Sequence, residues 1–104
     1  MNPISPSALK EKLQNGADEF LLIDVREQAE HNNFNIGGVC IPLPDIISEI
    51  APFLIGKPIV FYCSMGIRSA IAIQRLEEKY PGHNFINLTD GLVEWRKCFP
   101  DSQS

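Results

Sequence analysis

Short apolar runs alternate with helix-like stretches along the chain. Four runs are short and largely apolar, as expected of strands buried in a sheet, and they span residues 20–24, 39–41, 58–62 and 85–88. Five other stretches carry helical apolar spacing or helix-starting and helix-stopping residues, and they span residues 6–14, 27–33, 45–54, 68–80 and 91–97. Because helices separate the strands, the pattern predicts right-handed crossovers and a mainly parallel sheet with helices on both faces.

Turn and cap residues mark the ends of these elements. Ser5 and Pro6 are typical of a helix start, because a hydroxyl caps the first free N–H groups and proline suits the first helical position. Gly16 is suited to ending that first helix. Pro52 lies inside the stretch 45–54 and is expected to disturb the end of its helix.

Composition and charge place the chain among ordinary globular proteins. Its 104 residues suit one domain over residues 1–104, with 44% hydrophobic and 21% charged residues. The net charge of −4, without any basic run, argues against nucleic acid and anionic membranes as partners. The N-terminus lacks a signal-peptide pattern, and no stretch is apolar enough to span a bilayer. A cytoplasmic protein is expected.

The three cysteines differ in their surroundings. Cys40, Cys63 and Cys98 are odd in number and widely spaced, which argues against a disulfide framework and against a zinc site. Cys40 and Cys98 have no glycine, helix start and arginine beside them, so they are interpreted as small apolar residues. Cys63 has all three.

The segment after the apolar run 58–62 carries the candidate chemistry. Cys63 follows that run, and in parallel sheets ligands bind beyond the carboxyl ends of the strands. A tight loop that enters a helix turns backbone N–H groups inward and forms an anion-binding nest, for which Gly66 supplies backbone freedom. Such a nest is expected to stabilise a thiolate. Arg68 adds planar donors suited to an oxyanion such as thiosulfate, so the pattern predicts nucleophilic transfer from a bound anion.

Four segments resemble the motifs of rhodanese domains. The sequence FYCSMGIRSA at 61–70 resembles their active-site loop, and LIDVRE at 22–27 resembles their first motif. IGGVCIPL at 36–43 is similar to the second motif, and LTDGLVEW at 88–95 to the closing one. These segments stand in the family's order and cover residues from about 20 to 97.

The resemblance implies a three-layer α/β fold, a central and mainly parallel five-stranded sheet with helices on both faces. It implies a sulfurtransferase in which Cys63 takes sulfur from thiosulfate or a small persulfide and passes it to a thiol, cyanide or an activated carboxylate. Asp24 and Arg26 are expected to brace the loop and the neighbouring helix. No metal or organic cofactor is implied. The residues expected to hold the substrate are Ser64, Met65, Gly66, Ile67, Arg68 and Ser69.

Some positions depart from the commonest family pattern. The form Asn35 to Gly38 looks more like rhodanese domains attached to adenylating enzymes that feed sulfur to ubiquitin-like carriers. Partners of that kind, or a thioredoxin-like thiol, are therefore expected as protein acceptors. Asp90 stands where the family usually has the first of two glycines. His31 and His83 match no catalytic position and are interpreted as solvated surface residues.

Two other functions fit parts of the pattern. A cysteine phosphatase or arsenate reductase uses a similar anion cradle, but its loop is typically one residue longer than the Cys63 to Arg68 spacing. The chain also shows no evident general acid for a leaving group. A non-catalytic rhodanese-like binding module remains the second alternative, although such modules usually lack the cysteine.

Overall fold

The computed structural model describes residues 1–100, and a five-stranded sheet forms its centre. The last four residues of the predicted 1–104 domain lie outside the described residues. All strand pairings are parallel, and the order across the sheet is β1-β5-β4-β2-β3. The predicted α/β class and its parallel central sheet are confirmed. The strands are β1 Asn2–Ile4, β2 Leu21–Asp24, β3 Val39–Cys40, β4 Ile59–Tyr62 and β5 Phe85–Leu88.

Helices connect the strands close to the predicted positions. The α-helices are α1 Pro6–Asn15, α2 Gln28–Asn33, α3 Ile46–Glu49, α4 Ile67–Lys79 and α5 Gly91–Cys98. Ser5 caps α1 as predicted, because its hydroxyl accepts the backbone N–H of Ala8 at 3.2 Å. Over residues 1–100, every helix is too short or too polar to cross a membrane.

Strand β1 is an element that the hydrophobic pattern did not predict. It has three residues, one of them Pro3, and only Ile4 is buried. Its extended backbone comes from pairing with β5, where Ile4 lies opposite Leu88 and its carbonyl accepts the N–H of Thr89 at 3.0 Å. An edge strand tolerates proline because one of its sides makes no ladder bonds.

The predicted helix at 45–54 is wrong in extent. The structure has a single α-helical turn, α3, between 3-10 turns at Leu43–Asp45 and Ala51–Phe53. Pro52 has no N–H to continue the helical ladder, and its ring crowds the preceding turn. The disturbance expected at the helix end therefore shortens the whole element.

The two faces of the sheet bury separate apolar clusters. Ile59 and Phe61 of β4 pack with α3 and α4 on one face, whereas Val60 and Tyr62 pack with α1 and α5 on the other. Cys63 follows β4 and belongs to the α4-side cluster. It therefore lies at the carboxyl end of the central strand, on the face that α4 covers.

Candidate active site

The loop between β4 and α4 depends on glycine at position 66. Gly66 has a φ of 85° and precedes the first residue of α4. A Cβ there would lie 3.1 Å from the backbone nitrogen of Asp90 and 3.4 Å from the carbonyl oxygen of Leu88. Both the left-handed backbone and the close approach make a side chain unfavourable here. The expectation that Gly66 supplies backbone freedom is confirmed.

Backbone N–H groups point at the Cys63 sulfur. Gly66 N–H donates to Sγ at 3.1 Å, and Ser69 N–H donates to it at 3.4 Å. Cys63 is only 1% exposed, so these donors act in surroundings with little water. Such donors favour a sulfur atom that carries negative charge, as a thiolate or a persulfide does.

Asn87 links the far side of the loop to strand β5. The Ser69 hydroxyl donates to Asn87 Oδ1, and Asn87 Nδ2 donates to the Gly66 carbonyl oxygen at 3.3 Å. Because the one hydroxyl hydrogen of Ser69 is used there, its oxygen is free to accept the S–H of Cys63, 3.4 Å away. Sequence reasoning missed Asn87, although a polar residue inside an apolar strand was a usable signal.

Helix α5 anchors the carbonyl side of the loop. Leu92 N–H donates to the Cys63 carbonyl oxygen, and Val93 N–H donates to that of Ser64, both at 2.9 Å. Gly91 has a φ of 62°, and a Cβ there would lie 2.5 Å from the same two carbonyl oxygens. The loop carbonyls are thus bound by free N–H groups of the first helical turn, which leaves the loop N–H groups to face the sulfur.

Arg68 forms a two-pronged ion pair with Glu30 of α2. Its Nη1 and Nη2 donate to Oε1 and Oε2 of Glu30 at 2.8 and 3.0 Å, and Nη2 also lies 3.3 Å from Ser64 Oγ. Hydrogen bonding from Arg68 lowers the pKa of Glu30 to about 2. The interpretation of Arg68 as an anion-binding group stays a prediction, and the structure adds that Glu30 already occupies its guanidinium. Glu30 was not singled out from the sequence.

Asp24 and Arg26 form a buried pair beneath α2. The Asp24 carboxylate accepts Arg26 N–H at 3.0 Å and Arg26 Nη2 at 2.7 Å, and Arg26 Nη2 also donates to the Phe34 carbonyl oxygen at 2.6 Å. Arg26 thus links the buried carboxylate to Phe34, the residue that ends α2, and the bracing role of the pair stays a prediction. The pair also lies beside Tyr62, the residue before Cys63: Asp24 is opposite Tyr62 in the sheet, and the Arg26 guanidinium lies 5.8 Å from the centre of the Tyr62 ring.

His31 is not the solvated histidine that was predicted. Its Nδ1 lies 2.9 Å from Asp24 Oδ2, and its side chain is only 15% exposed. It lies on the inner face of α2, next to the buried Asp24 carboxylate. No local sequence pattern indicated this position. His83 is exposed as predicted and stacks on Phe85 with ring centroids 5.7 Å apart.

The other two cysteines lie in different surroundings from Cys63. Cys40 is half-buried, and its Sγ donates to the Arg26 carbonyl oxygen at 3.4 Å. Burial, together with the charge of Asp24, raises the pKa of the Cys40 thiol. Cys98 is exposed at the end of α5, so its interpretation as a small apolar residue is wrong.

Over residues 1–100, the structure contains no group of three or more His, Cys, Asp or Glu side chains that could bind a metal ion.

Clefts flank the loop on both sides. The larger cleft, about 640 Å³, is lined by Met65, Gly66, Ile67 and Asn87 among others, and Met65 and Ile67 are each 60% exposed. The smaller cleft, about 200 Å³, lies on the Ser64 side of the loop. Its lining residues are Arg26, Glu30, Asn33, Ser64, Leu92, Val93 and Arg96.

The sequence matches a known domain family and several curated proteins. The family model described as a rhodanese-like domain matches residues 5–98. The adenylyltransferase and sulfurtransferase MOCS3 of Drosophila willistoni is 33% identical over 91 residues, which are 78% of this chain and 20% of that protein. The chain thus spans about a fifth of the length of the curated relatives it matches.

Solved structures show the same architecture. The rhodanese-like domain protein from Staphylococcus aureus superposes with a TM-score of 0.80 at 27% identity, covering 91% of each chain. Bacillus anthracis CoADR-RHD superposes with a TM-score of 0.83 at 26% identity, covering 98% of this chain and 18% of that one.

Proposed function

The chain belongs to the rhodanese-like domain family, and on this basis we propose that it is a sulfurtransferase in which Cys63 carries sulfane sulfur as a persulfide. The observation that carries the proposal is the pair of N–H donors from Gly66 and Ser69 on the Cys63 sulfur. The likeness to the MOCS3 proteins, whose name includes sulfurtransferase, supports the same activity.

The first step loads the cysteine. The Cys63 thiolate attacks the outer sulfur of thiosulfate, the sulfur–sulfur bond of the donor breaks, and sulfite leaves with the electron pair. Cys63 then carries a persulfide with one negative charge, so charge and atoms balance. The N–H groups of Gly66 and Ser69, which donate to the Cys63 sulfur, stabilise this charge. In this proposal the other residues from Ser64 to Ser69 also surround the transferred sulfur.

The second step passes the sulfur on. A thiophilic acceptor attacks the outer sulfur of the persulfide, and the Cys63 thiolate leaves and is regenerated. With cyanide the product is thiocyanate. The exchange is of the ping-pong kind and draws on no metal or organic cofactor.

The acceptor in this proposal is a protein. Met65 in the loop and Ile67 at the start of α4 expose apolar side chains, which a protein partner would cover. A ubiquitin-like sulfur carrier or a thioredoxin-like thiol protein fits this rim. The Drosophila relatives, whose name pairs adenylyltransferase with sulfurtransferase, favour the carrier with an activated carboxylate. With this acceptor the outer persulfide sulfur is the nucleophile: it attacks the acyl carbon, and the activating group leaves with the electron pair of the broken bond. A dithiol reductant then cleaves the resulting acyl disulfide, which releases the thiocarboxylate and the Cys63 thiol while the dithiol becomes a disulfide.

Intact-protein and peptide mass spectrometry test the proposal. After incubation with thiosulfate we expect one additional sulfur atom on Cys63, removed again by cyanide. Aryl phosphate hydrolysis measured on the same sample serves as the comparison with the phosphatase alternative. Phosphatase turnover without any sulfur adduct would overturn the proposal, and the absence of both would favour the non-catalytic binding module.

A further inference from the structure

Arginine side chains beside the Cys63 loop differ in how their charge is compensated. Arg26 pairs with Asp24, and Arg68 pairs with Glu30. Within residues 1–100 no ion pair includes Arg96, and its buried Nε has no hydrogen-bond partner. Of these three arginines, Arg96 is therefore the one whose charge has no ion-pair partner among the described residues.

The fold places Arg96 in a cleft that Ser64, the residue after Cys63, also lines. Arg96 lies four residues after Leu92 on α5, so the two share one face of the helix. The N–H of Leu92 is bonded to the Cys63 carbonyl oxygen at 2.9 Å. The Arg96 guanidinium lies 4.1 Å from the centre of the Phe34 ring, which supports it against the smaller cleft.

The cleft itself has the size and chemistry for a small anion. Its volume of about 200 Å³ is small for an organic ligand, and Ser64, the residue after Cys63, forms part of its wall. The carboxylate of Glu30 also lines it but is held by both terminal nitrogens of Arg68. The charge left over in the cleft is that of Arg96.

We propose that this cleft is an oxyanion subsite in which Arg96 binds the sulfonate end of a thiosulfate-like donor, while Arg68 holds the loop. The inference rests on the proposed function and names the residue that captures its donor. A guanidinium offers paired, planar donors to an oxyanion. With the sulfonate on Arg96, the outer sulfur would face Cys63, and the departing sulfite would keep the same contact.

A binding experiment tests the subsite without any turnover. Inorganic sulfate is titrated into the ¹⁵N-labelled protein, and the Arg96 Nε–H and the backbone N–H groups of Ser64 and Val93 are followed by NMR. We expect these resonances to shift together and to saturate. Arg96→Gln should weaken sulfate binding about tenfold or more, because the uncompensated charge of the cleft is lost. Unchanged binding in this variant, or saturable shifts confined to another surface, would overturn the inference.

Matched variants separate charge from folding. Lys97→Gln removes the same charge from the next, exposed residue of α5 and should change sulfate binding less than about twofold. Arg96→Lys keeps the charge and should retain part of the binding, with the amide spectrum of each variant reporting its fold. Equal weakening by Lys97→Gln and Arg96→Gln would contradict a specific subsite.

Steady-state kinetics with thiosulfate distinguish the two proposals. Arg96→Gln should raise KM about tenfold with a smaller change in kcat, because ground-state donor capture is lost. If the wild type transfers sulfur and Arg96→Gln keeps its KM, the subsite inference fails and the proposed function stands. If the wild type transfers no sulfur but sulfate binding depends on Arg96, the anion site stands and the proposed function fails.

Discussion

Cys63 and Cys40 occupy equivalent places at the carboxyl edge of one parallel sheet, yet their sulfur atoms have opposite hydrogen-bonding roles. The Cys63 sulfur accepts hydrogen bonds, whereas the Cys40 sulfur donates one. Cys63 comes directly after the central strand β4, and two backbone N–H groups donate to its Sγ. Cys40 ends the edge strand β3, and its own Sγ donates to a backbone carbonyl oxygen. A position at a strand end therefore does not make a cysteine reactive by itself.

The difference comes from the residues on the C-terminal side of each cysteine. After Cys63 the chain turns at Gly66 into α4, and the turn directs N–H groups toward the sulfur. After Cys40 the chain continues through Ile41 to Pro42, which has no N–H to offer. Hydrogen-bond donors stabilise a thiolate, whereas an acceptor and a nearby carboxylate stabilise the thiol. Burial accordingly raises the pKa of Cys40.

The largest expected effect comes from exchanging each sulfur atom in turn. Cys63→Ser should lower the rate of thiocyanate formation from thiosulfate and cyanide by about a thousandfold or more, because the persulfide cannot form. Cys40→Ser should stay within about twofold of wild type. Retention of most of the turnover by Cys63→Ser would contradict the role proposed for that residue.

The next effect concerns the backbone that aims the donors at Cys63. Gly91→Ala would place a Cβ 2.5 Å from the carbonyl oxygens of Cys63 and Ser64 and push the loop away from α5. We expect a loss of roughly a hundredfold in kcat/KM, since displaced donors lose most of their effect.

Gly56→Ala is the matched control for that variant. Gly56 also has a positive φ, of 93°, but its Cβ would have no neighbour within 4 Å. It therefore reports the cost of the strained backbone without the clash, about 1 kcal/mol in unfolding free energy and little in kcat/KM. Equal losses of activity in both variants would contradict the anchoring of the loop by α5.

A smaller effect is expected from the ion pair that holds the rim of the Cys63 loop. Arg68→Ala should lower kcat/KM with thiosulfate about tenfold, because the loop loses a tether and Glu30 is left unpaired beside the anion site. Adding Glu30→Gln to this variant should restore part of the loss. A double variant worse than Arg68→Ala alone would contradict this explanation.

The Arg68–Glu30 ion pair also predicts how stability and activity respond to pH. Glu30 titrates with a pKa of about 2 rather than its ordinary 4.5, so the stability that ionised Glu30 contributes is fully present above pH 4.5 and is lost as the pH falls through about 2. The activity ratio of wild type to Glu30→Gln should therefore stay constant from about pH 5 to about pH 9. A step in this ratio inside that range would contradict the pairing.

The smallest expected effect is slow alkylation of Cys40, the other cysteine of the comparison. Because the pKa of Cys40 is raised, less of it is thiolate at neutral pH, and iodoacetamide should label it slowly. The exposed Cys98 provides the reference in the same sample. Peptide mass spectrometry should find Cys98 labelled several-fold faster than Cys40, with the gap closing as the pH rises.

Local pattern was enough to predict most of the fold. The runs around β2, β4 and β5 are apolar enough to identify strands without partners, and the alternation with helices determines a parallel sheet. Strand β1 could not be predicted in this way, because three residues with one proline become a strand only when β5 supplies the hydrogen bonds. The shortening of α3 was visible only in part, through Pro52.

The candidate site also has features that local sequence predicted and features that depend on tertiary contacts. Cys63, Gly66 and helix α4 are consecutive in the chain, so sequence alone predicted a thiol in a nest of N–H groups, and the Gly66 conformation results from local sterics. Which arginine beside the loop lacks an ion-pair partner, among the described residues, was not decided locally. Arg68 belongs to that same segment, and its sequence neighbours indicate a free cation until α2 brings Glu30 against it.

Tertiary structure alone decided the rest. Asn87 holds the loop from β5, and Arg96 reaches the cleft from α5, both across sequence separations of about twenty residues or more that no periodicity spans. His31 left the surface because α2 packs its inner face over the buried Asp24 carboxylate. Local sterics and burial patterns depend on residues that are neighbours in the sequence, so the sequence predicts them. The pairing of charges depends on which elements the fold places side by side, so only the tertiary structure determines it.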